Sequence, residues 1–257
     1  MTSRLKIARE GRVARLTMNH PEKRNALSSG MCRELVDAFE AARDDAQVGC
    51  VLLDGAGPVF CAGMDLEEAG APGASAKNEI HEPLFSMGRS YPKPIVAAVQ
   101  GAALGGGVGL VANAHVAIAA QGTKFGLTEI RIGLWPLLIW RSVVAALGER
   151  RTLELTMTGR IFGTADAQQY GLISETAPAF ELDDRAMAMA QHLASLSPEV
   201  MQQGLGFARE ARDLDWEGAG RLASEVRAEI FRSADFHEGV RAFLEKRKPQ
   251  WPSLGGS

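Results

Sequence analysis

The fold of the chain is decided by one stretch of its sequence, Gln100-Gly101-Ala102-Ala103-Leu104-Gly105-Gly106-Gly107-Val108-Gly109. It lies within a longer segment, residues 94–123, that contains no Asp, Glu, Lys or Arg. That segment is long enough to cross a bilayer, but each glycine in it weakens a continuous helix by about 1 kcal/mol. We therefore predict a buried strand at 95–99, a glycine turn, a short helix, and a second buried strand at 115–119.

The glycine run does not have the spacing of a nucleotide-binding loop. No Gly-x-Gly-x-x-Gly passes through it, and no Gly-Lys-Ser/Thr follows it. What remains is a strand that ends in glycines and opens a helix, which leaves unpaired N–H groups at the positive end of the helix dipole. Such a place binds an anion or an oxygen that becomes one. Taken alone, the glycines are explained better by close packing of the helix against the strand.

A second possible hydrogen-bond donor precedes this run in the chain. Gly63 lies in the short apolar segment Phe60–Leu66, where a glycine before a short element frees the N–H group of Met64. Two convergent donors suit the carbonyl of a thioester, because its enolate oxygen carries negative charge. Each such donor typically contributes ~3–4 kcal/mol to stabilising a transition state.

Composition limits the classes of protein to which the chain can belong. With 257 residues, of which 46% are apolar and 23% charged, it has the composition of an ordinary globular protein. Its formal net charge of −3 argues against nucleic acid or an anionic membrane as a partner. Three cysteines without a Cys-x-x-Cys pair indicate neither a disulfide framework nor a zinc site. Because residues 1–13 also lack a signal-peptide pattern, we expect a cytoplasmic protein.

Apolar spacing predicts the remaining elements. Two strands are expected within residues 5–18, a helix after Ser28, a strand at 50–53 and a mobile loop at 70–76. The last third of the chain changes to helical spacing, in the segments 183–197, 199–213, 217–232 and 236–247.

Six blocks of sequence, in order along the chain, resemble the enoyl-CoA hydratase/isomerase (crotonase) superfamily. The blocks lie at 19–27, 60–66, 100–107, 125–129, 159–173 and 242–247. Their order is far more specific than any single glycine motif. The resemblance implies an α/β fold in which a superhelix (spiral) of ββα turns, residues 1–195, carries an acyl-CoA site. It also implies that residues 196–257 form a C-terminal helical region that builds a homotrimer, or a hexamer as a dimer of trimers.

The same resemblance assigns roles to particular residues. The backbone N–H groups of Met64 and Gly106 would form the oxyanion hole, and coenzyme A would enter as part of the substrate, with no further cofactor and no metal. Contacts to the acyl-CoA are implied for Lys23, Arg24, Ala26, Ala62, Asp65, Leu66 and Trp135, and for Phe243 and Lys246 of a neighbouring subunit. A solvated surface explains the basic residues equally well, and core packing or a subunit contact explains Trp135.

The carboxylates determine which reaction is expected. Hydratases of the superfamily hold water between two glutamates, but this chain has Gly109 at the first position and Glu129 at the second. A single glutamate resembles the Δ3,Δ2-enoyl-CoA isomerases, and burial should raise its pKa toward neutrality. The alternative is a structural carboxylate that pairs with Arg131 on the same face of a strand. His81 or Glu82 could replace the missing carboxylate, although a surface helix accounts for both.

We therefore predict an acyl-CoA enzyme in which Glu129 is the single acid/base, with double-bond isomerisation favoured and hydration close behind. An acyl-CoA hydrolase or decarboxylase with the same oxyanion hole is a second possibility. A non-catalytic homologue that binds CoA esters or RNA is a third, and its RNA version is disfavoured by the net charge.

Overall fold

The structure of the protein, a computed structural model, describes residues 3–71, 81–87 and 90–255. Strands alternate with helices along most of this length. The strands are β1 (Leu5–Glu10), β2 (Val13–Met18), β3 (Cys50–Gly55), β4 (Ile95–Val99), β5 (Ala102–Leu104), β6 (Val116–Ala120), β7 (Lys124–Gly126), β8 (Ile161–Phe162) and β9 (Glu175–Ala177).

The helices of the described residues range from 4 residues in α2 and α12 to 17 in α10. They are α1 (Ser29–Asp44), α2 (Leu66–Ala69), α3 (His81–Met87), α4 (Gly106–Asn113), α5 (Trp140–Leu147), α6 (Glu149–Thr158), α7 (Thr164–Gln169), α8 (Leu182–Ala194), α9 (Pro198–Glu210), α10 (Trp216–Arg232), α11 (Ala234–Leu244) and α12 (Pro252–Gly255). Short 3₁₀ helices occur at Pro21–Lys23, Glu129–Ile132, Ala179–Glu181 and Ala211–Asp213. The predicted helix after Ser28 is confirmed as α1, whose first turn is capped by the Ser28 hydroxyl accepting from Met31 N.

Within the described residues, the strands form two sheets. The large sheet has the order β1-β2-β3-β4-β6-β9, and all of its neighbours are parallel except the antiparallel pair β1 and β2. The small sheet has the order β5-β7-β8. After β4 and again after β6, the chain leaves the large sheet, adds a short strand to the small sheet and then enters a helix. The catalytic elements predicted from the sequence lie at the ends of these short strands.

Both faces of the large sheet are covered, which explains why its central strands are continuous apolar runs. One face packs against α1 in the main hydrophobic core, which includes Leu16, Leu35 and Leu53. The other face packs against α8, with Val96 and Ala186 in a second core cluster. The uncharged segment 94–123 is accounted for by this burial. Among the described residues no helix has the length and hydropathy needed to span a membrane.

Most predicted elements are present at or near their predicted positions. The strand at 95–99 is confirmed as β4, and the strand predicted at 115–119 is β6, which is shifted by one residue. The glycine turn contains an additional short strand, β5, that the sequence did not predict. Of the predicted loop at 70–76, residues 72–76 lie outside the described residues.

The C-terminal helices α9, α10, α11 and α12 pack chiefly on one another, whereas α8 packs on the large sheet. The positions of α8, α9, α10 and α11 confirm the four predicted helical segments. A division of the chain at residues 195 and 196 stays a prediction. Between α9, α10 and α11, beside Trp251, lies an apolar groove of about 660 Å³, whose lining includes Met201, Ile230, Phe236 and Phe243.

Candidate functional site

A short parallel pairing brings the two predicted amide donors together. Cys61 pairs with Ala103, with hydrogen bonds from Cys61 N to Ala102 O (3.1 Å) and from Leu104 N to Cys61 O (3.0 Å). Because the two segments run in the same direction, three residues further along each one the backbone reaches Met64 on one side and Gly106 on the other.

Gly63 allows this close approach. Its φ is +90°, and a β-carbon placed on it would lie 2.7 Å from Leu104 O and 3.5 Å from Gly106 N. A side chain would therefore collide with the neighbouring backbone, and the conformation itself favours glycine. The backbone at Gly63 consequently lies directly beside the Gly106 amide.

Both amides remain available to a ligand. Among the hydrogen bonds of the described residues, none is donated by Met64 N or by Gly106 N. Gly106 is the first residue of α4, so its N–H belongs to the unpaired first turn and points from the positive end of the helix dipole. Two neighbouring unpaired donors of this kind can bind the oxygen of a thioester carbonyl and stabilise negative charge on it.

The carboxylate of Glu129 lies close to the start of α4. A β-carbon placed on Gly105 would be 3.1 Å from Glu129 Oε1 and 3.8 Å from Glu129 Oε2. The Oε2 atom is buried and has no hydrogen-bond partner. Burial raises the pKa of the Glu129 carboxyl above its ordinary value, because the charged form loses its hydration. The direction of this shift agrees with the prediction and suits a group that accepts and returns a proton.

The alternative role for Glu129, an ion pair with Arg131 on one face of a strand, is wrong. Glu129 begins a 3₁₀ helix, Glu129–Ile132, that ends at Gly133 in the left-handed region with φ of 73°. At three residues per turn, side chains two residues apart point in different directions. No ion pair joins the two side chains among the described residues, and Arg131 lies instead against Gly159.

The space beside Gly106 and Gly109 is apolar and filled. A β-carbon on Gly109 would lie 2.3 Å from Ile139 Cγ2 and 3.1 Å from Phe85 Cε1. One on Gly106 would lie 2.9 Å from Leu27 Cδ1 and 3.2 Å from Phe85 Cζ. Ile139 therefore occupies the space that a side chain at residue 109 would need. The sequence shows that residue 109 carries no carboxylate, and the structure adds that there is no room for one.

Helix α3 is held in place by a buried polar cluster that the sequence analysis missed. The Phe85 carbonyl accepts a hydrogen bond from Asn113 Nδ2 (3.0 Å), and Ser142 Oγ, 3.3 Å from that carbonyl oxygen, donates its single proton to Asn113 Oδ1 (2.8 Å). These bonds tie α3 to α4 and α5 at once. Nothing in the local sequence pattern indicates the cluster, because its members are 28 to 57 residues apart.

The loop with the predicted coenzyme A contacts lies along the Met64 segment. Ala62 N donates to Arg24 O (3.0 Å), and Leu27 N donates to Gly63 O (2.8 Å). Asn25, which is fully buried, fixes the loop by donating from Nδ2 to Ala56 O (2.9 Å) and Val59 O (2.8 Å).

The structure thus brings part of the predicted binding set together, namely Lys23, Arg24, Ala26, Ala62, Asp65 and Leu66. Lys23 forms an exposed ion pair with Glu67. Asp65 caps α2 by accepting from Glu67 N (3.1 Å) and Glu68 N (3.2 Å), and Leu66 is exposed.

The other predicted binding residues lie elsewhere. Trp135 is half-buried, and its ring centroid lies 6.0 Å from that of Trp140. Phe243, at the end of α11, is 84% exposed and lines the C-terminal groove, and Lys246 follows it with φ of 55°. Within one chain no described hydrogen bond joins Phe243 or Lys246 to the two amides. Their predicted role requires a second copy of the chain.

Other catalytic groups are lacking among the described residues. No group of three His, Cys, Asp or Glu side chains there could hold a metal ion. Cys32, Cys50 and Cys61 are buried, and burial raises the pKa of each thiol to about 12. The thiols are therefore protonated at neutral pH and do not act as nucleophiles.

The chain is similar over nearly its whole length to proteins of known family. The sequence pattern of the enoyl-CoA hydratase/isomerase family matches residues 8–253. Enoyl-CoA hydratase EchA19 of Mycobacterium tuberculosis is 33% identical over 256 residues, which are 95% of each chain. The 2,3-dehydroadipyl-CoA hydratase of Escherichia coli is 30% identical over 251 residues, which are 97% of this chain and 98% of that one.

A crystal structure of an enoyl-CoA hydratase from Mycobacterium smegmatis matches the fold with a TM-score of 0.91 at 30% identity, covering 96% of this chain and 98% of that one. This match confirms the predicted crotonase fold with its C-terminal helices. Together with the family match, it also confirms the resemblance stated from the six sequence blocks. The chain belongs to the enoyl-CoA hydratase/isomerase family and is an enzyme of that family.

Proposed function

We propose that the protein moves the double bond of a 3-enoyl-CoA thioester into conjugation with the thioester carbonyl, using Glu129 as its single acid/base. The observation that carries this proposal is the asymmetry around α4. A carboxylate with one buried oxygen lies beside Gly105, while Ile139 and Phe85 fill the space beside Gly109, where hydratases of the family would carry a second carboxylate.

The chemistry requires one proton and no added water. The Glu129 carboxylate removes a proton from the α-carbon, and the electron pair moves onto the thioester oxygen. The N–H groups of Met64 and Gly106 stabilise the resulting enolate. When the thioester carbonyl re-forms, the electron pair between the carbonyl carbon and the α-carbon moves to the bond between the α- and β-carbons. The electron pair of the old double bond then takes the proton of the Glu129 carboxyl at the γ-carbon. The double bond then lies between the α- and β-carbons, and the carboxylate is regenerated.

Hydration of a 2-enoyl-CoA is the second candidate. It is supported by the names of the relatives, which are hydratases. Hydration needs water to be activated and a proton to be delivered to the α-carbon, and one carboxylate must then do both. Because residue 109 is a glycine whose surroundings are filled, no second group there can activate the water. We therefore rank isomerisation first.

Incubation with 2-enoyl-CoA and 3-enoyl-CoA in deuterated water tests the proposal. Mass spectrometry and NMR of the products should show double-bond migration from the 3-enoyl substrate, and Glu129→Gln should lower that rate by about 10²–10⁴-fold. The wild-type kcat/KM should rise with pH through the raised pKa of Glu129, because the carboxylate is the active form. Full turnover by Glu129→Gln would refute the catalytic role.

The products also separate the remaining alternatives. A 3-hydroxyacyl-CoA product would establish hydration, free coenzyme A would establish hydrolysis, and released CO₂ would establish decarboxylation. Binding of acyl-CoA with no chemical change would identify a non-catalytic homologue.

We also propose that the active form is a homotrimer or a dimer of trimers, in which Phe243 and Lys246 of one copy contact the acyl-CoA of another. The exposure of Phe243, Leu244 and Val240 on α11 supports a contact there between copies. Size-exclusion chromatography followed by light scattering measures the mass of the assembly in solution. A monomer with full activity would contradict the proposal.

A further inference from the structure

His81 is a half-buried side chain for which the proposed chemistry has no use. It begins α3 and lies on the same side of that helix as Leu84 and Phe85, which are three and four residues later and both buried. Its Nε2 atom is itself buried and has no hydrogen-bond partner among the residues that the structure describes. Unpaired buried polar atoms are rare in folded proteins, so each one calls for an explanation.

The direction of α3 places His81 at the catalytic end of α4. The Phe85 carbonyl is bound by Asn113, the last residue of α4, while the Phe85 ring reaches Gly106 and Gly109 in its first turn. Helical side chains lean toward the N-terminus of their own helix. The N-terminus of α3 therefore lies toward the start of α4. His81, four residues or about 6 Å before Phe85, lies still further in that direction.

The side chains known to border this region cannot supply a partner for His81. Leu27, Phe85 and Ile139, which contact the glycines of α4, present only carbon atoms there. Glu129 approaches Gly105 on the other side of the helix start, and its Oε2 is itself unpaired. An otherwise apolar wall with one imidazole nitrogen is the arrangement expected of a site that fixes one polar atom of a ligand.

We propose that His81 Nε2 hydrogen-bonds a hydroxyl group on the acyl chain, at its fifth carbon or beyond, so that the enzyme prefers hydroxylated acyl-CoA thioesters to plain hydrocarbon ones. A hydroxyl fits because it can donate or accept and so pairs with either tautomer of the imidazole. A hydrocarbon chain would leave the nitrogen unpaired, and sites built to pair a substrate hydroxyl select strongly against analogues that lack it. This inference rests on the proposed acyl-CoA site, but not on the direction of the reaction.

The test uses saturated ligands, which bind but have no double bond to move. Titration calorimetry of the full-length protein would compare hexanoyl-CoA with 5-hydroxyhexanoyl-CoA and 6-hydroxyhexanoyl-CoA. We expect at least one hydroxylated ligand to bind about tenfold more tightly than hexanoyl-CoA. His81→Leu should abolish that preference and leave hexanoyl-CoA binding unchanged or improved.

Two further variants form a matched pair. His81→Gln places an amide nitrogen near the position of Nε2 and should keep most of the preference, whereas the shorter His81→Asn should lose it. Glu82→Gln, at the exposed neighbouring position on α3, is the control and should behave as wild type. Thermal unfolding of each variant checks that the fold is intact.

The possible failures are distinguishable. A wild type that binds all three ligands equally, or a preference that survives in His81→Leu, would refute the role of His81 alone. Equal loss of affinity for all three ligands in His81→Leu would show a structural role and refute it too. A wild type that binds none of the acyl-CoA thioesters would refute the proposed acyl-CoA site, and the His81 proposal with it.

Discussion

The two sides of the first turn of α4 differ in what approaches the glycines. Beside Gly105 lies the carboxylate of Glu129, with one oxygen buried and unpaired. Beside Gly109 lie the carbon atoms of Ile139 and Phe85, so close that residue 109 can carry no side chain. The backbone of this turn supplies an amide donor, while the residues packed around it determine what happens to the bound thioester. The same glycine run can therefore serve different reactions.

The largest effect should come from changing the apolar side into a polar one. Gly109→Glu alone should destabilise the protein by about 1–3 kcal/mol, because the new side chain collides with Ile139. Gly109→Glu combined with Ile139→Ala removes the closest contact, 2.3 Å to Cγ2, leaves the β-carbon of residue 139 at 2.9 Å, and adds a second carboxylate to the first turns of α4. We expect the double variant to hydrate a 2-enoyl-CoA at least about 100-fold faster than wild type, measured as 3-hydroxyacyl-CoA formed.

The Ile139→Ala variant alone is the control for that experiment. It opens the space without adding a carboxylate and should gain no hydration activity. If wild type already hydrates as fast as the double variant, the second carboxylate is unnecessary and the difference between the two sides has no bearing on the reaction.

A smaller effect is expected in the stability of Glu129→Gln. The folded-state pKa of Glu129 is raised, so folding favours its protonated form, and this contribution is lost as the pH rises through the folded-state pKa. At pH 7.5 the neutral glutamine should therefore be more stable than the buried carboxylate by about 1 kcal/mol. Urea unfolding at pH 7.5 and near pH 4 should show the difference shrinking in acid. A variant less stable than wild type at pH 7.5 would contradict the burial of the charge.

The smallest effect is expected at Met64, since its contribution is the backbone N–H. Met64→Leu conserves volume and should change kcat/KM by less than about threefold. Gly63→Ala, next to it, should reduce activity strongly, because its β-carbon would displace Leu104 O at 2.7 Å. Steady-state kinetics of the pair measures both. A large loss with Met64→Leu would mean that the thioether itself contacts the substrate.

Local patterns in the sequence were enough to predict the strands β1, β2, β3, β4 and β6 and the helices α1, α4 and α8 to α11, but not β5. Ser28 marked the start of α1, and the glycines from 105 to 109 marked the start of α4. The resemblance supplied the pairing of Met64 with Gly106, which are 42 positions apart in the chain. The alternative interpretation of Glu129, an ion pair with Arg131, failed because the two residues lie in a 3₁₀ helix where a strand was assumed.

The filling of the Gly109 position could not have been predicted. Ile139 is thirty residues further along, and no spacing rule connects a glycine in one helix with a branched side chain just before another. The anchoring of α3 through Asn113 and Ser142 could not be predicted for the same reason, because it too depends on how α3, α4 and α5 pack in three dimensions.

One backbone hydrogen bond has a consequence for how such an enzyme can diversify. Gly105 N donates to Gly126 O at 2.9 Å, which links the strand before the oxyanion amide to the strand before Glu129. The relative position of Glu129, the proposed proton carrier, and the Gly106 amide thus depends on main-chain atoms, which a substitution preserves unless it disrupts the strands. Substitutions at residues such as Phe85, Ile139 and His81 can then change which acyl chain is accepted, while Gly106 and Glu129 keep their relative positions.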